Sequence, residues 1–154
     1  MKRPVSDLVT VHTMAIDDLG FVWRLGKASF TSEISYSKRL WTEDELLARF
    51  VDNQDLCLVA SFNDRIVGFV LGGVLRRTGS SWSTGYFLWI AVAKRYQKKG
   101  VALKLYRELE HRLRERGARN VICEVETRNF KALDFMRRVG FREDHTVSYL
   151  KKSI

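Results

Sequence analysis

Gln97-Lys98-Lys99-Gly100-Val101-Ala102 is the stretch on which the reading of this chain turns. Before it, Tyr86 to Ala93 is an unbroken apolar run and reads as a buried strand. After it, Val101 to Arg116 reads as an amphipathic helix. A strand, a basic loop holding a glycine and a helix start together make a place for an anionic group. The first amides of a helix lack intrahelical partners, and the helix dipole adds partial positive charge. Gly100 lets the backbone approach a phosphate closely, and Lys98 and Lys99 bring charge. A basic turn that merely contains a glycine would show the same residues, so the loop must be read with its surroundings.

Outward from the loop, the chain supports one domain over residues 1–154, long enough for a real core. Its apolar fraction is 45% and its charged fraction 29%, the balance of a soluble globular protein. The longest apolar run, Tyr86 to Ala93, is far too short to span a membrane, and the first residues carry no apolar leader. Cys57 and Cys123 both fall in apolar, strand-like runs and read as buried free thiols. These features place the protein in the cytoplasm. The net charge of +9 suits either nucleic acid or an anionic cofactor. The basic residues are not interleaved with aromatics as on a single-strand-binding face. Many of them lie on the outer face of the helix after Gly100, where they read as solvated. His12, His111 and His145 are isolated and show no metal spacing, so no metal is expected.

Read in order, Leu8 to Met14 is a first strand. Asp17 caps a helix running to about Phe30, and Thr31 to Leu40 is a loop. Thr42 opens Thr-Glu-Asp-Glu, a capping box for a second helix to about Phe50. Leu56–Phe62 and Arg65–Leu75 flank the turn Asn63-Asp64 as a hairpin. Gly85 to Ala93 is a strand covered on both faces. Val101, Leu105, Leu109 and Leu113 form the core stripe of the next helix, and Gly117 ends it. Val121 to Thr127 is a strand with Val121, Cys123 and Val125 on one face and Ile122, Glu124 and Glu126 on the other. Asn129 starts a helix that stops at Gly140, and Arg142 to Lys151 is β-like. The fold class is α/β, a mixed central sheet flanked by helices in the order β-α-α-β-β-β-α-β-α-β.

Ile90-Ala91-Val92 followed by Gln-x-x-Gly-x-Ala and a long helix resembles the pyrophosphate-binding motif of the GNAT superfamily of acetyl-CoA-dependent N-acetyltransferases. Asn129-Phe130-Lys131-Ala132, followed by Val139-Gly140-Phe141, resembles that family's second motif. The two stand in the right order about a strand, helix and strand apart. The resemblance covers roughly residues 5 to 150. It implies acetyl-CoA as co-substrate, with Ile90, Ala91 and Val92 pairing the pantetheine arm through their backbone. It places the pyrophosphate on the amides of Lys98, Gly100, Val101, Ala102 and Leu103, with Lys99 alongside, and gives Asn129 a hydrogen bond to the cofactor arm. Asparagine is also a good helix N-cap, and both roles can hold together.

Amine acetylation needs a neutral nucleophile, so a base must take a proton. The resemblance puts that base at Glu124, five residues before Asn129, with Glu126 as its rival. Apolar neighbours on a strand would raise the pKa of Glu124. The family's general acid, a tyrosine seven residues after the asparagine, is replaced here by Met136, which cannot donate a proton. Tyr149 is a candidate replacement. Ala28-Ser29-Phe30 is similar to a segment of the ribosomal-protein N-terminal-alanine acetyltransferase group, which favours a peptide or protein amine as acceptor. The short segment after Phe141 suggests an acceptor wall shared in a homodimer, with Tyr149 and Leu150 at the edge. The expected function is therefore acetyl transfer from acetyl-CoA to a primary amine by direct attack. A non-catalytic acyl-CoA-binding module is the alternative, and a basic nucleic-acid-binding domain is the weaker one.

Overall fold

Asn63 and Asp64 both take positive φ, 47° and 60°, and close a two-residue hairpin turn. They join β2 (Cys57–Phe62) to β3 (Arg65–Arg76), which pair antiparallel. In the computed structural model, which describes residues 3–30 and 36–154, this hairpin is the centre of a five-stranded sheet. β1 (Thr10–Thr13) adds to β2, and β4 (Ser83–Val92) adds to β3, both antiparallel. β5 (Ala118–Ile122) joins β4 in parallel, giving the order β1-β2-β3-β4-β5. Two compact units are present, Met1–Glu124 with the whole sheet and Val125–Ile154.

α5 (Val101–Glu115) packs on one face of the sheet, against β3 and its neighbours. Val101, Leu105, Leu109 and Leu113 are fully buried, so the four-residue stripe is the contact face. Each leucine fills a site where the sheet lacks a side chain. A Cβ on Gly72 would lie 2.5 Å from Leu109 Cδ1, and one on Gly85 2.9 Å from Leu113 Cδ1. Gly117, at φ 82°, ends the helix, and its carbonyl accepts from Ser83 N–H at 3.1 Å.

α2 (Leu19–Ser29) and α4 (Glu43–Asp52) cover the opposite face. Their core gathers Val22, Trp41 and Leu46 with Phe69, Leu71, Trp89 and Ala91 of β3 and β4. Thr42 caps α4 as expected, accepting from Glu45 N–H at 3.1 Å. The Glu45 carboxylate accepts instead from Arg49 Nε at 2.9 Å and Trp89 Nε1 at 3.0 Å. The second unit holds α6 (Phe130–Arg138), where Asn129 Oδ1 accepts from Ala132 N–H at 3.2 Å. Met136, on that helix, is buried.

The α/β class, the mixed sheet and the middle of the element order agree with the sequence reading. The ends differ. A one-turn helix, α1 (Val5–Leu8), precedes β1, and α3 (Tyr36–Leu40) occupies part of the segment expected as a loop. The rest of that loop, residues 31–35, lies outside the described residues. The strand expected at Val121–Thr127 begins at Ala118 and ends at Ile122. Residues 142–154 form neither helix nor strand, against the expected β-like ending. Val147, Tyr149 and Leu150 are exposed there. An alternating sequence becomes a strand only where a neighbour receives its backbone groups.

The basic residues of α5 are also used differently from a solvated face. Lys104 Nζ donates to the carbonyls of Ser6 and Val9 at 2.9 and 2.6 Å. Arg112 ion-pairs with Glu108 and also donates to Thr13 Oγ1 and the Asp55 carbonyl. These cations pin α1, β1 and the turn before β2 to the helix. They are structural ties, and the positive net charge is correspondingly less available to an external polyanion.

Candidate functional site

β4 and β5 are laddered only from Ser83↔Ala118 to Tyr86↔Ile122. β5 then stops, while β4 runs on to Val92 with its other edge still paired to β3. A gap therefore opens beside Ile90, Ala91 and Val92, the three residues expected to pair an extended arm. A bulge helps to open it. Leu71 faces Trp89 and Gly72 faces Phe87, so Leu88 is an extra residue in β4. Such a residue bends and twists its strand locally. The sequence carries no mark of this bulge, because register leaves composition unchanged.

The loop at the end of β4 is held from behind. Gln97 Nε2 donates to the Val92 carbonyl at 2.9 Å, tying the motif's first residue to the last strand residue. Lys98 takes φ 58° and Gly100 φ 81°, with Lys99 between them outside the positive-φ region. Alternating φ signs turn successive amides toward a common point, the geometry of an anion-binding nest. The amides of Val101, Ala102 and Leu103 belong to the first turn of α5, and the first intrahelical bond runs from Lys104 N–H to the Gly100 carbonyl. Lys98, Lys99 and Gly100 are exposed. The Lys99 ammonium donates to the Arg95 carbonyl at 2.8 Å, and so lies back along the turn. The structure thus brings all nine expected residues of this unit onto one strand end and one helix start. Asn129 lies in the second unit. Its cap uses Oδ1, whereas a hydrogen bond donated to a cofactor arm would use Nδ2.

Glu124 follows the end of β5 and is exposed. The apolar strand setting expected for it is absent, because the ladder stops two residues earlier. Burial still alternates along Val121, Ile122, Cys123 and Glu124, so Cys123 faces inward and Glu124 outward. Burial, with the neighbouring Glu124 charge, pushes the Cys123 thiol up to about 11. Burial, with Asp55 beside it, pushes Cys57 up to about 12. At neutral pH both are thiols, not thiolates, and neither is an acyl-accepting nucleophile. Tyr106 was not singled out by sequence. Its ring lies 5.7 Å from that of Phe87, centroid to centroid, on the α5 side where β4 and β5 diverge. Burial and Glu110 raise its phenol to about 12. Among the described residues, no group of three or more His, Cys, Asp or Glu is placed to hold a metal ion. None of the described helices is long and apolar enough to cross a membrane.

These three raised values have a measurable consequence. Each group binds its proton more tightly folded than unfolded, so the folded state holds more protons above about pH 9. Their contribution is complete below that pH and is lost as pH rises toward 11–12. Urea midpoints measured from pH 8 to 10.5 are expected to fall. The fall should be shallower in Cys57→Ala, whatever that variant's absolute stability.

A family model described as the acetyltransferase (GNAT) family matches residues 22–141. N-alpha-acetyltransferase 30 of Schizosaccharomyces pombe (strain 972 / ATCC 24843) is 32% identical over 87 residues, covering 56% of this chain and 57% of that protein. The chain spans about half the length of the curated relatives it matches. Among solved structures, Ard1 from Thermoplasma volcanium superposes with a TM-score of 0.75 at 25% identity, over 90% of this chain and 85% of that one. PaiA N-acetyltransferase from Thermoplasma acidophilum in complex with coenzyme A gives 0.76 at 18% identity, over 90% and 92%, a likeness of fold.

Proposed function

Because this chain belongs to the GNAT family of acetyltransferases, we propose that it moves the acetyl group of acetyl-CoA to a primary amine. The observation that carries the reading is the continuity of the gap beside β4 with the nest at Lys98–Gly100. An extended arm fits the first and an anionic group the second. Acetyl-CoA supplies the activated acetyl group as a thioester. Backbone groups of Ile90, Ala91 and Val92 pair with the arm, and the amides of Lys98 and Gly100–Leu103 hold the pyrophosphate. A backbone amide of β4 where it parts from β5 receives the charge that develops on the thioester oxygen.

Glu124 takes the proton that the attacking ammonium must lose. An exposed carboxylate does this directly or through one water. A carbon–nitrogen bond forms, the carbon–sulfur bond breaks with its electrons leaving on sulfur, and the second proton of the nitrogen passes to water or to that thiolate. Met136 is a buried thioether and offers no proton to that thiolate. Direct attack is further supported by the two protonated cysteines.

A peptide or protein N-terminus is the acceptor we favour, supported by the N-alpha-acetyltransferase relative. Two free cysteines fit a reducing cytoplasm. The exposed Val147, Tyr149 and Leu150 offer an apolar edge to a second copy, which light scattering would register. The test of the function is thiol release from acetyl-CoA in the presence of N-terminal peptides and small amines. Transfer to at least one of them is expected. Tight acetyl-CoA binding with no transfer to any would favour a non-catalytic binding module.

A further inference from the structure

We infer that the groove between α1 and α5 receives the nucleotide end of acetyl-CoA, with Arg107 as the partner of its 3′-phosphate, an assignment that rests on the acetyl-transfer reading above. The groove measures about 510 Å³, a size that suits a small-molecule site. Ser6 and Asp7 of α1 line one side, and Gly100, Lys104, Arg107 and Glu108 the other. Gly100 belongs to both the nest and the groove, and a Cβ on it would lie 3.2 Å from Ser6 Cβ. The groove therefore begins where the pyrophosphate is held. It lies on the side of α5 away from the gap. Lys104 and Tyr106 are two positions apart, roughly 200° around a helix. Tyr106 packs on Phe87 of β4, while Lys104 reaches Ser6 and Val9. A ligand that runs along β4 and crosses the start of α5 continues into the groove.

The charges along the groove suit a phosphorylated nucleoside. Arg112 and Arg114 each pair with the glutamate four residues earlier, Glu108 and Glu110. The residue four before Arg107 is Leu103, so the helix supplies it no acid. Arg107 is exposed and, among the described residues, has no hydrogen bond or ion pair. It follows Gly100 by roughly 10 Å of helix, and helical side chains tilt toward the N-terminus, back toward the nest. Its planar fork matches two phosphate oxygens. Lys104 donates to two neutral carbonyls and so keeps its positive charge in the groove. Glu108 is already neutralised by Arg112. Asp7 accepts from Ser6 Oγ at 3.4 Å and presents its remaining acceptor sites to the groove. That carboxylate repels a bare polyphosphate but accepts from hydroxyl and amino groups. The 3′-phosphorylated adenosine of acetyl-CoA carries a phosphate for Arg107 and such donors for Asp7.

The test compares acetyl-CoA with its 3′-dephospho form by calorimetry. The parent protein is expected to bind acetyl-CoA about tenfold more tightly, the effect of one charge-assisted hydrogen-bonded pair. Arg107→Gln should bind the two donors alike, at the affinity the parent shows for the dephospho form. Removing either partner of one pair then has the effect of removing both. Arg107→Lys keeps the charge but loses the fork, and should show an intermediate preference. It carries the comparison if Arg107→Gln does not fold. Equal binding of the two donors by the parent overturns the assignment. So does a folded Arg107→Gln protein that keeps the parental preference, or one that loses affinity for both donors equally. In each of these cases thiol release from acetyl-CoA with an amine acceptor leaves acetyl transfer itself standing. Binding of neither donor by the parent overturns the acetyl-transfer reading, and the assignment falls with it.

Discussion

Replacing Glu124 by glutamine is expected to lower turnover about 10²-fold or more and to leave acetyl-CoA affinity nearly intact. Glutamine keeps the shape and loses the basic oxygen, so only the proton transfer is removed. The substitution has an internal control. The Glu124 charge is one of the two causes holding the Cys123 thiol high, so Glu124→Gln should make Cys123 more acidic. Alkylation of that thiol against pH would confirm that the change is local. A variant with parental turnover across the pH range would move the role to Glu126 or to solvent.

Gly100→Val is expected to weaken acetyl-CoA binding at least about 10²-fold. Two effects add. Gly100 sits at φ 81°, a conformation that disfavours any side chain by roughly 1–2 kcal/mol and a β-branched one by more. A Cβ there would also lie 3.2 Å from Ser6 Cβ, so Ser6 or the loop must give by a few tenths of an ångström. A shifted loop turns the amides away from their common point, and each lost charge-assisted hydrogen bond removes about 1.5–3 kcal/mol. Gly100→Ala should fall between the two proteins. Calorimetry on folded variants, checked by circular dichroism, measures both. Unchanged affinity in folded Gly100→Val would show that the phosphates lie elsewhere.

How far the sequence could be read follows from what each feature does to composition. The apolar run ending at Val92 and the stripe Val101, Leu105, Leu109 and Leu113 are long and regular, so the strand, loop and helix that build the site were legible. β5 was misplaced because its first residues include the exposed Arg119 and Asn120, which hide a strand edge. The setting of Glu124 was misjudged for the same reason, since the ladder ends at Ile122. The bulge at Leu88, the Gln97 tie to Val92 and the Glu45 link to Trp89 depend on register and on contacts between distant residues. No local pattern announces them. Lys104 and Arg112 look like surface charge in sequence, yet their partners lie in α1, β1 and the turn before β2.

With acetyl-CoA bound as proposed, the gap beside β4 works as a length gauge. From Tyr86, the last residue laddered to β5, to Val92 the strand advances roughly 20 Å at about 3.3 Å per residue. A donor is gripped at both ends only if its tether matches that span. One end alone binds as a monovalent ligand, and joining two matched ends raises the effective concentration of the second into the millimolar range. A short acetyl thioester lacking the phosphates forfeits that chelation even though its reactive group is identical. Bond strength at the thioester is thus a poor guide to which donors this protein will accept; the separation between charge and carbonyl is the better one.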